Sequence, residues 1–123
     1  VSLVQNRNHK TYGDAGEELA TQFLVQERYR ILCRNFRCRH GEIDIIAESD
    51  GYLCFIEVKR RKNTVSGHPF EAISINKIRH ICRTALYYLH CNGLPDSTAV
   101  RFDVISIVGE EVSLIKDAFS FQC

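Results

Sequence analysis

The sequence predicts a mixed α/β domain in which two helices cover a central sheet, in the order α-β-β-β-α-β-β. Three observations predict this class: two amphipathic stretches with helical spacing, several runs of alternating apolar and polar residues, and an Asp-Gly pair between two of those runs. The chain has 123 residues, of which 45% are hydrophobic and 25% charged. This length and balance suit one domain over residues 1–123, with its core at about 12–119, and exclude disorder and a two-domain enzyme.

The first half of the chain predicts one helix and three strands. The helix spans about 13–28, and its apolar stripe, spaced four apart, consists of Ala15, Leu19 and Phe23, with Ala20 and Leu24 beside it. Three strands follow, at about 30–37, 42–48 and 52–59. Asp50 and Gly51 separate the last two strands, and this dipeptide is typical of two-residue hairpin turns.

The second half predicts one long helix and two further strands. The helix runs from about Ser74 to Asn92, where Gly93 and Pro95 end it. Its expected core face carries five residues: Ile78, Ile81, Cys82, Ala85 and Leu89. The two strands follow at about 98–108 and 112–116. Together, these elements predict a sheet that is covered by helices.

The hairpin gathers charged residues near one of its ends. The two-residue turn puts Asp44 opposite Glu57, and Glu42 opposite Lys59, so we expect all four side chains on one face. The other face is expected to be entirely apolar: Ile43, Ile45, Ala47, Cys54, Ile56 and Val58. A slip of one residue would exchange the two faces, so the alternation itself favours this register.

The opposed carboxylates predict a metal site. Two like charges facing each other destabilise a sheet unless something compensates them, and carboxylate oxygens are the ligands that Mg²⁺ and Mn²⁺ prefer. Asp44 and Glu57 are therefore the candidate metal ligands, and Lys59 is the candidate group that assists attack on a phosphoryl centre. Ordinary surface ion pairs are the alternative interpretation, but the apolar residues Ile46 and Phe55 share this face, which favours a partly covered site.

The net charge of +1 conceals an uneven distribution. From Arg28 to Arg83 there are twelve Lys and Arg against six Asp and Glu, whereas the remaining residues hold four against nine. Clustered cations favour a polyanion, and the planar guanidinium suits phosphate. Six residues are the candidate nucleic-acid contacts: Arg34, Arg37, Arg39, Arg60, Arg61 and Lys62. A solvated basic surface without a partner explains the same charges.

The cysteines and the apolar runs predict the compartment. Six cysteines are present, several within apolar patterns, and we expect reduced thiols that act as small hydrophobic residues. No apolar run approaches the roughly 18 residues that cross a bilayer, and the first ten residues are polar. The sequence therefore predicts a cytoplasmic protein without membrane contacts.

Three segments together resemble a known superfamily: Gly16-Glu-Glu-Leu-Ala20, Gly41-Glu-Ile-Asp-Ile-Ile-Ala47 and Phe55-Ile-Glu-Val-Lys-Arg-Arg61. Their order is similar to that of the PD-(D/E)xK, restriction-endonuclease-like superfamily. Within it the chain resembles the small bacterial YraN-like proteins, which are similar to archaeal Holliday junction resolvases. The resemblance runs from about Tyr12 to Phe119 and includes Arg101-Phe-Asp-Val104.

The resemblance implies a restriction-endonuclease-like core and a role for each matching residue. Asp44 matches the metal-binding aspartate, and Glu57 and Lys59 match the Glu-x-Lys pair. Glu17 matches an acidic residue of the first helix that approaches the metal, and Lys77 lies where related nucleases place Gln or Lys. The residues alone leave Glu17 and Lys77 open, because helix-terminal charges account for both.

The implied activity is that of a Mg²⁺- or Mn²⁺-dependent endonuclease, acting on DNA rather than RNA. By analogy with resolvases, branched or flapped DNA is the expected substrate, and cleavage of a four-way junction would require a homodimer. The alternative is a non-catalytic scaffold that binds nucleic acid and keeps the fold. The presence of Asp44, Glu57 and Lys59 together favours the nuclease.

Overall fold

The computed structural model of the chain describes residues 12–61 and 73–122. Residues 1–11, 62–72 and Cys123 lie outside these ranges. The described residues form helices and strands in the predicted order, which confirms the fold class. Their bounds are α1 Tyr12–Gln26, β1 Arg30–Cys38, β2 Gly41–Ser49, β3 Tyr52–Arg61, α2 Ile75–Cys91, β4 Val100–Val108 and β5 Glu111–Phe119. The last strand extends three residues beyond its predicted end.

The strands form one mixed sheet in the order β1-β2-β3-β4-β5. β3 and β4 run parallel, and the other neighbours are antiparallel. The hairpin register is as predicted from the pair Ser49–Tyr52 to the pair Ile45–Ile56. Positive φ angles of 56° at Asp50 and 81° at Gly51 form the turn, as a two-residue hairpin requires.

Helix α1 covers one face of the sheet, where its apolar side chains pack on Ile45, Ile56 and Ile105. The core face of α1 differs from the predicted one. Ala20 and Leu24, predicted beside the stripe, are completely buried, whereas Leu19 and Phe23 of the stripe are partly buried against the same cluster and Ala15 is exposed. The buried side of the helix also includes Gly16 and Glu17, which an apolar periodicity does not detect.

Helix α2 covers the other face and packs on a second cluster that includes Ile46, Phe55 and Phe102. Most of its predicted core residues are buried, and Thr84 and Tyr88 are buried with them. The Ser74 hydroxyl accepts a hydrogen bond of 3.1 Å from the backbone N–H of Lys77, which caps the start of the helix. The cap fixes Lys77 in the first turn of α2.

A buried polar network lies at the turn end of the hairpin, away from Asp44. The Arg101 guanidinium binds both carboxylate oxygens of Asp103, at 2.9 and 3.0 Å, and the Tyr29 hydroxyl donates to the same carboxylate at 2.7 Å. Asp103 is completely buried. Arg101 also contacts Asp50 at 3.3 Å, so the network ties β4 to the hairpin turn.

Two further predictions concern the thiols and the membrane. Five cysteines of the described ranges carry free thiols, as predicted: Cys33, Cys38, Cys54, Cys82 and Cys91. In the part of the chain that the structure describes, neither helix has the length and apolar character needed to traverse a bilayer.

Candidate functional site

Strands β2 and β3 stop pairing at Asp44. The regular ladder ends with the pair Ile45–Ile56, and the backbone N–H of Val58 then donates a hydrogen bond of 2.7 Å to the Asp44 carboxylate. The predicted Asp44–Glu57 ladder pair is therefore absent. The two carboxyl groups nevertheless remain close enough to affect each other, because the charge of Glu57 contributes to the raised pKa of Asp44.

The prediction that the four charged side chains share one face of the hairpin, with Ile43 and Ile45 on the other, was wrong. Ile43, expected beside Ile45, instead joins the cluster under α2 that contains Ile46. The alternation breaks where Asn35 of the neighbouring strand adopts a left-handed backbone with φ 56°. Asn tolerates this conformation better than most residues, and the kink in β1 lies next to Asp44, between the pairs on either side of it.

The break in alternation lets the two acids reach toward different helices. Asp44 lines a cavity of about 220 Å³ together with Gly16 and Glu17 of α1. Glu57 forms an ion pair of 3.4 Å with Lys77 of α2. The candidate site thus lies where the separated strands meet both helices.

The electrostatics of the acid pair favour a bound cation. Burial, reinforced by the charge of Glu57, raises the pKa of Asp44 to about 8, although the Val58 N–H opposes the shift. Burial also raises the pKa of Glu57, against the opposing effect of Lys77. Ionising both carboxyl groups in this setting is costly, and a divalent cation would compensate for that cost.

Glu17 is held by β1. Its Oε1 atom accepts hydrogen bonds from Arg34 Nε and Nη2, at 3.2 and 3.0 Å, and from Asn35 Nδ2 at 3.0 Å. The guanidinium of Arg34 also pairs with Glu18 at 3.1 Å, and its side chain is only 10% exposed. Arg34, predicted to contact nucleic acid, instead lies inward, because two carboxylates occupy its donors.

The predicted set of three metal ligands is not assembled as such. Within residues 12–61 and 73–122, no three His, Cys, Asp or Glu are grouped so that they could hold a metal ion. Asp44 and Glu57 form a pair, and Glu17 acts on Asp44 through its charge while its carboxylate binds Arg34. Mg²⁺ often takes one or two carboxylates and keeps several waters, so the acid pair still suits this ion.

The remaining predicted cations lie around the site or beside it. Arg37 is 70% exposed and approaches Glu42 at 3.6 Å. Arg60 lies across α1, since a Cβ atom at Gly16 would be 2.8 Å from the Arg60 Cδ. Arg60 and Arg37 both line the 220 Å³ cavity. Lys59 of β3 pairs with Ser106 of β4, and Arg61 of β3 pairs with Val108. Arg39 is exposed just after the end of β1. Lys62 lies outside the described residues.

Sequence reasoning missed Asn35 and the backbone donor of Val58. Asn35 supplies both the kink in β1 and a hydrogen bond to Glu17. An Asn inside a predicted strand is a signal for a left-handed backbone, and could have indicated the kink. The Val58 donor has no such signal, because it becomes available only when the ladder ends.

The chain is similar to a set of bacterial proteins along most of its length. The model of a family described as "Uncharacterised protein family UPF0102" matches residues 16–107. A UPF0102 protein of Lachnoclostridium phytofermentans is 53% identical over 112 residues, covering 91% of this chain and 95% of the relative. UPF0102 proteins of Persephonella marina and Caldicellulosiruptor bescii are 46% and 43% identical, and cover 89% and 91% of this chain and 94% and 99% of the relatives. The chain belongs to the UPF0102 family.

Proposed function

We propose that this chain is a metal-dependent endonuclease of the PD-(D/E)xK type that hydrolyses DNA phosphodiesters with Mg²⁺ or Mn²⁺. One observation carries the proposal: the carboxyl groups of Asp44 and Glu57 interact where β2 and β3 separate, although two partly buried acids that repel each other are costly without a cation. Two lysines lie near Glu57: Lys59 is two residues further along β3, and Lys77 of α2 forms an ion pair with Glu57.

Each residue has a defined task in this proposal. Asp44 and Glu57 hold the divalent cation, which supplies positive charge beside the phosphoryl group. Lys59 lies two residues beyond Glu57, so its side chain projects to the same side of β3 and can stabilise the charge that develops on the phosphoryl oxygens. Lys77 lowers the cost of ionising Glu57. Glu17 with its partner Arg34 fixes the charge on the α1 side of the cavity.

The alternative function is that of a nucleic-acid-binding scaffold without hydrolysis. The exposed cations around the site, such as Arg37, would serve either function. The acid pair distinguishes them, because a scaffold gains nothing from two partly buried carboxylates that also repel the phosphate backbone.

A cleavage assay tests the proposal. Labelled single-stranded, duplex, flapped and four-way-junction DNA, with an RNA arm, is incubated with the chain in Mg²⁺, Mn²⁺ or EDTA. We expect cleavage of DNA in the presence of metal, lost in Lys59→Ala and retained in Lys116→Ala, an exposed lysine at the far end of the sheet. Binding without cleavage in either metal would replace the nuclease by the scaffold.

Cleavage of both sides of a four-way junction requires two sites, and the proposal therefore includes a homodimer for that substrate. Sedimentation of the chain with and without junction DNA measures the stoichiometry. One chain per junction, together with paired cuts, would contradict the dimer.

A further inference from the structure

A groove leads away from the acid pair along α2. Its cavity, of about 380 Å³, lies between the β1–β2 turn and the first turns of the helix, and seven residues line it: Arg37, Cys38, Gly41, Glu42, Lys77, His80 and Ile81. Arg37 and Glu42 also line the cavity that contains Asp44. The two cavities are therefore adjacent.

The walls of the groove are close and partly made of backbone. A Cβ atom at Gly41 would lie 3.3 Å from Thr84 Oγ1 and 3.4 Å from His80 Cβ, so the β1–β2 turn packs directly on α2. Gly41 has φ 145°, which L side chains rarely adopt. The turn and the helix thus form the walls of a cavity that contains the cations Arg37 and Lys77 together with the acid Glu42.

Two cations and a histidine line this groove. Lys77 is 46% and Arg37 70% exposed, and His80 is also exposed. Glu42, which lies 3.6 Å from Arg37, is an acid of the same lining. Exposed cations of this kind suit the phosphates of one strand.

An exposed aromatic ring, Tyr87, lies further along α2, beyond the residues that line the cavity. Tyr87 is 42% exposed, so much of its ring is open to solvent. Its ring centroid lies 6.3 Å from Phe36 and 6.2 Å from His40, so neighbouring rings support it. His80, Thr84 and Tyr87 follow one face of α2 at helical spacing, and Lys77 to Tyr87 spans about 15 Å.

We propose that this groove binds an unpaired strand next to the scissile phosphate, with its phosphates against Arg37, Lys77 and His80 and one of its bases stacked on Tyr87. The inference rests on the proposed function, because the strand enters at the Asp44–Glu57 pair. Bases within a duplex already stack on each other, so an exposed ring can accept only a base that has left the stack. The preferred substrate is therefore DNA with a single-stranded segment beside the cut, such as a flap, an overhang or an open branch.

Binding measured without cleavage tests the inference independently of catalysis. Fluorescence anisotropy in EDTA compares a blunt DNA duplex with the same duplex carrying a single-stranded overhang. The variants are Tyr87→Ala, Tyr87→Phe, and Tyr52→Ala as a matched control, since Tyr52 is 41% exposed and lies at the hairpin turn. Unchanged melting temperatures check that all variants fold.

Stacking predicts a specific pattern. Tyr87→Ala should weaken binding of the overhang substrate about tenfold and leave the blunt duplex unchanged, while Tyr87→Phe and Tyr52→Ala bind both like the wild type. A 2-aminopurine base in the overhang should be quenched by the wild type and not by Tyr87→Ala. Equal loss on both substrates, or no loss on either, overturns the inference.

The cleavage assay separates this inference from the proposed function. Overhang binding that depends on Tyr87, without cleavage in either metal, supports strand binding in the groove and contradicts the proposed nuclease activity. Metal-dependent cleavage with a Tyr87→Ala variant that binds the overhang normally supports the nuclease and overturns the groove.

Discussion

The Asp44 carboxylate accepts a hydrogen bond of 2.7 Å from the backbone N–H of Val58, the residue after Glu57. A side chain thus takes the acceptor position that the backbone of β2 would occupy if the ladder continued. The bond fixes one acid of the pair beside the other, at the point where the strands separate. Several consequences of this arrangement can be measured.

Metal binding should depend on Asp44. We expect Mg²⁺ or Mn²⁺ at about ten times its dissociation constant to stabilise the wild type by about 1.4 kcal/mol, or roughly 3–6 °C in melting temperature. Asp44→Asn should lose this increase because it removes a charged ligand. Glu48→Gln, which changes an exposed acid near the other end of the same strand, should keep it. Equal increases in all three proteins would contradict the assignment.

The stability of the metal-free protein should fall as the pH rises. The fold raises the pKa of Asp44 from 3.8 to about 8, so the folded chain holds this proton more tightly than the unfolded chain. The resulting stabilisation is complete below about pH 4 and is lost as the pH rises through 8. Urea unfolding in EDTA should show the wild type losing stability relative to Asp44→Asn, by at most about 1.4 kcal/mol per pH unit. A difference that stays constant with pH would argue against the raised pKa.

Phosphate contacts should be local to the site. Arg37 and Arg30 are both 70% exposed and each pairs with a glutamate, but Arg30 lies at the other end of β1. We expect Arg37→Ala to reduce the slope of log affinity for DNA against log salt by about one, and Arg30→Ala to leave it unchanged. Titrations at several salt concentrations measure both slopes. The same slope for the two variants would indicate a diffuse basic surface.

The Arg101–Asp103 pair should support the fold and not the chemistry. Asp103→Asn leaves the buried Arg101 charge without its carboxylate, and we expect a loss of about 3–5 kcal/mol in the free energy of unfolding. Asp96→Asn, at an exposed pair with His90, should cost less than about 1 kcal/mol. Urea unfolding measures both losses, and metal affinity of the folded Asp103→Asn protein should match the wild type. A loss below about 1 kcal/mol for Asp103→Asn would show that the network is dispensable.

The hairpin could be predicted because its signals are local. A two-residue turn and a period of two fix which residues pair, and the register from Ser49–Tyr52 to Ile45–Ile56 followed from them. The face of Ile43 could not be predicted in the same way. It depends on the left-handed backbone of Asn35 in a neighbouring strand, and on where the ladder ends.

The inward placement of Arg34 could not be predicted from the sequence either. A basic run indicates an affinity for anions without saying which anion is nearest. In the fold the nearest anions are Glu17 and Glu18, which α1 brings against β1. The same contact explains why the apolar periodicity of α1 did not centre its core face on Ala20 and Leu24, since the polar Glu17 shares the buried side with Ala20.

The parallel pairing of β3 with β4 bears on how the protein is made. The acids Asp44 and Glu57 belong to a hairpin that closes through local contacts, whereas β4 reaches β3 only after the chain from Arg61 to Val100 has looped back. Such distant pairing forms late, because loop closure must precede it. Lys77 and the groove along α2 lie within that loop. We therefore expect a partly folded or nascent chain to bring its acids together before Lys77 and Tyr87 are in place, so that the site is complete only when the whole chain has assembled.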